Sequence, residues 1–123
     1  MQTIGKLNTS VLENEFGILQ TNEVVLTEER KMHIKERHPL DYVYIEKYGA
    51  DTVNNPDIIF KDNKHESTAL LIKKLPNTNL NVVVRLAVGV DDKHPKNSIM
   101  TCHRVRDSFL NKMLKRHKIL YSR

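Results

Sequence analysis

The sequence predicts an α+β fold in which two helices precede an antiparallel meander, followed by a last helix and a short final strand. Two helix-like segments occupy residues 27–48, and β-rich segments separated by turn signals fill residues 58–105. Connections of hairpin length argue against βαβ units, whose crossovers need a dozen residues or more. With 123 residues, the chain is the size of one domain.

The N-terminal part combines short strands with the first two helices. Residues 3–7 and 24–26 are candidate strands. Thr27 is a predicted N-cap, and the two glutamates after it lie where the helix dipole favours negative charge. This helix ends before Pro39, because the residue preceding a proline avoids the α region. A second helical stretch is predicted from about residue 41 through residue 48.

The meander and the C-terminal elements follow from alternating apolar residues and turn signals. Turns are predicted at residues 62–65 and 76–79, and a polar loop at residues 89–97. The last helix spans residues 107–115, capped by Asp107 or Ser108, and a short strand covers residues 118–121. The predicted apolar stripe of this last helix is Phe109, Leu110, Met113 and Leu114. The predicted meander strands are residues 58–61, 68–75, 80–88 and 98–105.

The positive charge of the chain is concentrated at its C-terminal end. Lysine and arginine number 20 against 15 acidic residues, a net charge of +5. Residues 106–123 carry six of the bases and one acid, so the whole excess lies there. A concentrated basic end favours a polyanionic partner, with nucleic acid the leading candidate. The alternative, which charge alone leaves equally open, is a solvated helix face with a basic tail.

Composition also excludes several classes of protein. A single cysteine, Cys102, rules out an internal disulfide framework and a cysteine-based zinc site. No run of about 18 apolar residues is present, so no transmembrane helix is predicted. The first residues lack a signal-peptide pattern, and we expect a cytoplasmic protein, or part of a larger carrier that acts in a cytosol. We expect one domain, with residues 1–22 as an N-terminal extension and 23–123 as the core.

The six histidines do not have metal-ligand spacing. His33 and His38 are five residues apart, rather than the four that place two ligands on one helix face. The segment HIKERH is not an HExxH motif, and no carboxylate cluster accompanies it. The sequence therefore predicts neither a bound metal nor a cofactor.

The predicted helix after Thr27 presents a possible anion-binding face. Arg30, His33 and Arg37 stand at positions i, i+3 and i+7, which share one side of a helix. A histidine there can exchange a proton near neutral pH. The alternative, which these residues alone favour, is that all three are solvated charges paired with nearby glutamates.

The segment 97–105 is unusual for a strand because each predicted face mixes polar and apolar residues. This pattern predicts either a polar concave site on one face or a half-exposed strand with ordinary polar residues. Strict alternation places the residues on two faces: Ile99, Thr101, His103 and Val105 on one, and Ser98, Met100, Cys102 and Arg104 on the other.

The chain holds the residue types that metal-free RNA cleavage requires. A base must take the proton of the 2′-hydroxyl, cations or donors must stabilise the charge on the phosphorane, and an acid must protonate the leaving 5′-oxygen. Histidine serves as acid or base, and arginine, lysine and hydroxyl groups serve the charge. The candidates are His33, Arg37, His38, Lys64, Arg85, Thr101, His103 and Arg104.

Five segments in this order carry a family resemblance. They are IGKLN, EVVLTEERKMHIKERHP, NNPDIIFKDNKHESTALLIKKL, LNVVVRL and KHPKNSIMTCHRVRDSFLNKMLKRHKILYSR. Together they resemble the phage-associated nuclease toxins of the barnase–EndoU–colicin–RelE (BECR) superfamily over residues 3–123. The most specific pieces are HIKERHP, NPDIIFKDN and NSIMTCHRVR.

The resemblance implies a fold, an activity and a set of site residues. The implied fold has helices packed on an antiparallel sheet of about four strands. The implied activity is metal-independent RNA cleavage by a toxin in phage–host or bacterial conflict, often as the C-terminal domain of a larger carrier. The implied site residues are His33, Arg37, His38, Ser98 and Thr101, with His103 at a position where relatives often carry tyrosine.

The resulting hypothesis is a toxin-type ribonuclease whose partner is RNA, with an immunity protein or antitoxin as a further candidate partner. Its alternatives are a non-catalytic RNA-binding module of the same fold and a prophage protein-interaction domain with incidental histidines. The expected catalytic residues are His33, Arg37, His38, Thr101 and His103. The expected RNA- and phosphate-binding residues are Arg30, Lys64, Arg85, Ser98, Arg104, Lys112, Lys115 and Arg116.

Overall fold

A computed structural model describes residues 1–89 and 96–123, so most of the predicted polar loop at 89–97 lies outside the described residues. Within these ranges the chain is α+β, with four helices and seven strands. No helix there is both long and apolar enough to cross a membrane. The elements are β1 (Gln2–Lys6), α1 (Thr9–Phe16), β2 (Glu23–Leu26), α2 (Glu28–Arg37), α3 (Pro39–Asn54), β3 (Ile58–Lys61), β4 (Thr68–Lys74), β5 (Asn79–Arg85), β6 (Asn97–Val105), α4 (Asp107–Arg116) and β7 (Ile119–Ser122).

Helix α2 begins where the sequence predicts, whereas helix α3 begins two residues before its predicted start at about residue 41. The Thr27 hydroxyl accepts a hydrogen bond from the Arg30 backbone N–H at 3.2 Å, which confirms the predicted N-cap of α2. Helix α2 ends at Arg37, before Pro39, as predicted. Helix α3 begins at that proline and is longer than the predicted 41–48, because buried residues such as Val53 extend its apolar face to Asn54.

The sheet is larger than the expected antiparallel sheet of about four strands, and that expectation is wrong. Seven strands pair in the order β1-β2-β6-β5-β4-β3-β7. The sheet is mixed, because β2 runs parallel to β6 with Val24 opposite Asn97 and Val25 opposite Ser98. The predicted meander forms its centre, and the short terminal strands extend both edges. Such pairings join segments far apart in sequence, which hydrophobic periodicity does not report.

The first 22 residues supply two elements to the same fold. Strand β1 pairs with β2, and α1 is a helix that no sequence signal predicted. Leu7, Leu12 and Leu19 are buried in the main core cluster. The Glu15 carboxylate accepts hydrogen bonds from Lys61 and Lys118, which ties α1 to the β3–β7 edge of the sheet.

The two faces of the sheet carry separate apolar clusters. Helices α1 and α3, together with Ile34 of α2, pack on one face and bury residues such as Leu71, Val82 and Ile99. Helix α4 packs on the other face, where Leu110 and Met113 meet Phe60, Leu70 and Ile72. Helix α4 lies toward the Val105 end of β6. Its buried residues therefore do not pack against the opposite end of that face, around Arg85 and Ser98.

A β-bulge in β6 changes which residues share a face. Thr101 pairs with Val83 and Ile99 pairs with Val84, so Met100 is an extra residue between them. The strict alternation expected for residues 97–105 is therefore wrong. Ile99 faces the α1–α3 side with Cys102. Ser98 joins Thr101, His103 and Val105 on the α4 side.

Helix α4 starts as predicted but differs in its cap and its stripe. The N-cap is Arg106, without a side-chain cap bond, and Asp107 is the first helical residue. The Asp107 carboxylate instead accepts a hydrogen bond from Asn79 Nδ2 at 2.9 Å. Of the expected apolar stripe, Leu110 and Met113 are buried. Phe109 is 51% exposed and Leu114 is 38% exposed, because they lie on either side of the stripe that Leu110 and Met113 bury against the sheet.

The lone thiol, Cys102, is expected to be unreactive in the native protein. It is fully buried, and burial raises the pKa of its thiol to about 12, with a further contribution from the nearby Asp41. Since the thiolate is the reacting species, a disulfide reagent at pH 8 should label the native chain far more slowly than the urea-unfolded chain. Equal labelling rates in the two states would contradict this placement.

Candidate functional site

One cleft on the α4 side of the sheet gathers charged and polar residues from five parts of the chain. Its volume is about 480 Å³. Helix α2, the loop between β3 and β4, the start of β4 and strands β5 and β6 all contribute to it. Its lining residues are Arg30, His33, Lys64, His65, Glu66, Thr68, Val83, Arg85, Met100 and Thr101.

Helix α2 forms one wall of this cleft. Of the residues of β6, strand β2 pairs with the first two alone. Helix α2 follows β2 directly and contacts β6 farther along the strand. The Arg30 guanidinium donates to the carbonyl oxygen of Met100 at 3.5 Å. This bond links the helix to the bulge. His33 follows three residues later and therefore lies on the same helix face as Arg30.

The loop between β3 and β4 forms the other wall and is held by its own hydrogen bonds. The Asp62 carboxylate accepts from the backbone N–H groups of Lys64 at 3.5 Å and His65 at 3.2 Å, an Asx-turn arrangement. Ser67 adopts a positive φ of 50°, and its carbonyl accepts from Leu86 N at 2.7 Å. These bonds fix where Lys64 and His65 stand relative to β5.

Strands β4, β5 and β6 form the floor of the cleft. Arg85 lies between Thr68 of β4 and Ser98 of β6 in the strand register. One row along, Val83 pairs with Thr101. Since cross-strand partners point to the same face, these side chains share one surface. The bulge brings Ser98 onto the same face as Thr101 and Arg85.

The electrostatic character of the cleft is positive. Three cations, Arg30, Lys64 and Arg85, line it with one carboxylate, Glu66. Among residues 1–89 and 96–123, none of the three cations has a carboxylate oxygen within 4.0 Å. Their charges are therefore available to an anion that enters the cleft.

Five of the residues expected from the sequence meet in this cleft. They are Arg30, His33, Lys64, Arg85 and Thr101. Ser98 pairs with Arg85 at the end of the same sheet face but does not line the cleft. Arg37 lies two helical turns beyond Arg30, at the exposed end of α2, and does not line it either.

His38 and Arg104 belong to a different cluster, around Asp41. The Asp41 carboxylate accepts from Arg104 Nε at 2.6 Å and lies 3.9 Å from His38 Nδ1. The guanidinium of Arg104 also lies 5.1 Å from the ring centre of Tyr44. The hydrogen bond to Asp41 raises the pKa of Arg104. Arg104 is thus paired, and it points to the opposite face of the sheet from Thr101.

His103 shares the face of Thr101 but lies beyond the cleft, nearer α4. Its Nε2 is 3.3 Å from Asn81 Nδ2. Burial lowers the pKa of His103, and the nearby His38 acts in the same direction, against the opposing effect of Asp41. Of the basic residues expected to bind RNA on the last helix, Lys112 lies beside His103 in a second depression. Lys115 and Arg116 are exposed in its final turn.

Sequence reasoning missed three polar residues of the cleft. His65 lies in the predicted turn at residues 62–65, Glu66 was assigned to no element, and Thr68 was predicted only as the start of a strand. The pattern Asp62 followed by Lys64 and His65 was a usable signal, since an Asx-turn fixes the residues that follow it. Thr68 enters the cleft through its pairing with Arg85, which no local pattern reveals.

Within the described residues, no group of three or more histidine, cysteine, aspartate or glutamate side chains is arranged to hold a metal ion. Comparison of this chain with protein-family models, with curated proteins and with solved structures finds no match. Its function is therefore inferred from the chemistry of the cleft and from the sequence.

Proposed function

We propose that the chain is a metal-independent ribonuclease that cleaves an RNA phosphodiester bond in the cleft. The observation that carries this proposal is the convergence on one depression of two imidazoles and three cations that have no carboxylate partner among residues 1–89 and 96–123. Internal transfer at phosphorus needs a proton acceptor, a proton donor and stabilisation of negative charge. The cleft supplies a residue for each of these tasks.

The two histidines are suited to the two proton transfers. His33 stands on α2 beside β6, and His65 stands on the loop leading into β4, so they flank the intervening strand β5. One imidazole takes the proton of the 2′-hydroxyl, and the 2′-oxygen attacks phosphorus. The bond from phosphorus to the 5′-oxygen breaks, and the other imidazolium protonates that oxygen. The products are a 2′,3′-cyclic phosphate and a free 5′-hydroxyl.

The cations stabilise the charge that accumulates on the phosphorane. Arg85 projects from the floor between the two histidines, and Arg30 and Lys64 approach from the two walls. A planar guanidinium presents several donors to phosphate oxygens at once. The Thr101 hydroxyl is a further donor at the floor. In this assignment His65 replaces His38 and His103, which the sequence analysis also expected to be catalytic. Arg85 keeps the phosphate-binding role expected for it, whereas Arg104, expected in the same role, lies outside the cleft.

The sequence resemblance supports the same reaction. It covers residues 3–123 and includes the helix that carries His33 and the strand that carries Thr101. On that basis we propose a toxin-type enzyme of BECR-like fold and of phage or prophage origin. It would act on RNA in a cytoplasm, alone or as part of a larger carrier. An immunity protein or antitoxin is its proposed protein partner.

The proposal is tested with total cellular RNA in EDTA. The wild-type chain and the variants His33→Ala and His65→Ala are incubated with it, and the RNA is resolved on a denaturing gel. We expect discrete fragments with the wild type and strong suppression in each variant. Intact RNA with the wild type, or equal cleavage by all three proteins, would refute the catalytic assignment. Intact RNA bound with a steep salt dependence would favour the non-catalytic RNA-binding module.

Arg85 is expected to contribute to catalysis through charge. Arg85→Gln should lower kcat/KM for RNA cleavage by about 100-fold, the size of effect seen when one donor to a developing oxyanion is removed. Arg85→Lys, which keeps the charge without the planar donor set, should lose less. The matched control is Lys47→Gln, since Lys47 is an exposed cation on α3 outside the cleft. An equal loss in Lys47→Gln, or no loss in Arg85→Gln, would contradict the assignment.

A further inference from the structure

A second depression, here called the groove, lies on the same face of the sheet between β6 and α4. Its volume is about 380 Å³. His103 lines it from the strand, and Arg106, Phe109 and Lys112 line it from α4 and the residue before it. The cleaving residues proposed above lie in the cleft, so the groove has no role in that chemistry.

The groove continues the cleft along strand β6. Thr101 lines the cleft and His103 lines the groove. The two residues are two positions apart past the bulge, so they point to the same face. At a rise of about 3.4 Å per residue, their Cα atoms are roughly 7 Å apart. Neighbouring nucleotides of one extended strand therefore reach both depressions.

Phe109 provides an exposed aromatic surface in the groove. It is 51% exposed, whereas Leu110 and Met113 of the same helix are buried against the sheet. A ligand that covers this ring gains the free energy of burying its apolar surface. Every nucleobase has a flat π-face that stacks on an aromatic ring regardless of sequence.

The charge around this ring is positive. Arg106 and Lys112 flank Phe109 in sequence, and neither has a carboxylate within 4.0 Å in the part of the chain that the structure describes. Asp107 is the one acidic residue between 106 and 123, and its carboxylate is bound to Asn79. An aromatic ring between two cations matches a base flanked by phosphates.

We propose that the groove is a second nucleotide subsite. In it, a base of the single strand that occupies the cleft stacks on Phe109, and the phosphates on either side contact Arg106 and Lys112. The identity of that strand as RNA rests on the proposed function. The subsite itself rests on the ring, the cations and the continuity of the two depressions. It binds substrate and takes no part in the proton transfers.

The test uses an uncleavable probe and four full-length proteins. The probe is a fluorescent 2′-O-methyl RNA of random sequence and about twelve nucleotides, long enough to span both depressions. Binding is measured by fluorescence anisotropy for the wild type, Phe109→Leu, Phe109→Tyr and Leu114→Ala. Phe109→Leu keeps an apolar side chain but removes the ring, and Phe109→Tyr keeps the ring. Leu114→Ala is the matched control, because Leu114 is an exposed apolar residue of α4 outside the groove.

We expect Phe109→Leu to weaken binding roughly tenfold, while Phe109→Tyr and Leu114→Ala bind as the wild type does. Equal binding by all four proteins would overturn the subsite, and so would no binding by the wild type. Cleavage of unmodified RNA is measured in parallel. If the wild type leaves RNA intact and Phe109→Leu alone loses affinity, the subsite stands and the ribonuclease assignment fails. If the wild type cleaves RNA and the four affinities are equal, the ribonuclease assignment stands and the subsite fails.

Discussion

Replacing His33 by alanine is expected to lower the rate of RNA cleavage by about 100- to 10,000-fold, the usual contribution of one positioned acid or base. The fold should survive, because His33 is exposed on α2 and alanine has the higher helix propensity. The measurement is the single-turnover rate on a fluorescent RNA, together with the thermal unfolding midpoint of each protein.

The matched control for this loss is Met32→Ala. Met32 precedes His33 on the same helix, is exposed and does not line the cleft. We expect Met32→Ala to cleave RNA at the wild-type rate. A His33→Ala protein that is folded and cleaves at the wild-type rate would remove His33 from the mechanism.

Replacing Asn97 by alanine is expected to lower the free energy of unfolding by at least about 3 kcal/mol. Asn97 is fully buried at the start of β6. Its Oδ1 accepts from Ala87 N at 2.8 Å, and its Nδ2 donates to the carbonyls of Thr21 at 2.8 Å and Glu23 at 2.9 Å. The alanine variant leaves all three backbone groups without these partners. Urea unfolding measures the change.

Asn111→Ala provides the comparison for this loss of stability. Asn111 is an exposed asparagine of α4, and truncating such a residue changes stability by no more than about 0.5 kcal/mol. Similar losses in Asn111→Ala and Asn97→Ala would contradict the role of Asn97. That role matters for the cleft, because Asn97 holds the end of β6 from which Ser98 and the bulge follow.

Local signals predicted most of the individual elements. Strand β3 has the predicted bounds, and α2 has its predicted cap at Thr27. In these segments the turn residues, the proline and the apolar periodicity all indicate the same structure. Helix α1 was missed because it is only eight residues long, buries a single residue, Leu12, and has no side-chain cap bond at Asn8.

Long-range pairing is what the sequence did not reveal. The parallel contact of β2 with β6 joins residues more than 70 positions apart, and nothing in either segment specifies the other. The bulge at Met100 is a second feature that the sequence did not reveal. One extra residue moves every side chain beyond it to the opposite face of the sheet from the one that strict alternation predicts. Without the bulge, Ser98 would lie on the opposite face from Thr101, as strict alternation predicted.

The candidate site was predictable only in part for the same reason. Arg30 and His33 share a helix face, so their proximity follows from spacing alone. His38 and Arg104 looked equally suitable in sequence, but Asp41 on the next helix binds Arg104 and lies beside His38. His65 could be assigned to the cleft only once the sheet placed its loop opposite α2.

The measurement that tests the central claim most directly is the chemistry of the cleaved ends. An RNA oligonucleotide and its fully 2′-O-methylated counterpart are incubated with the wild-type chain in EDTA, and the products are identified by mass spectrometry. Attack by the 2′-hydroxyl predicts fragments that end in a 2′,3′-cyclic phosphate from the RNA, and an intact methylated strand. Cleavage of both strands, or of neither, would contradict histidine-catalysed transfer in the cleft.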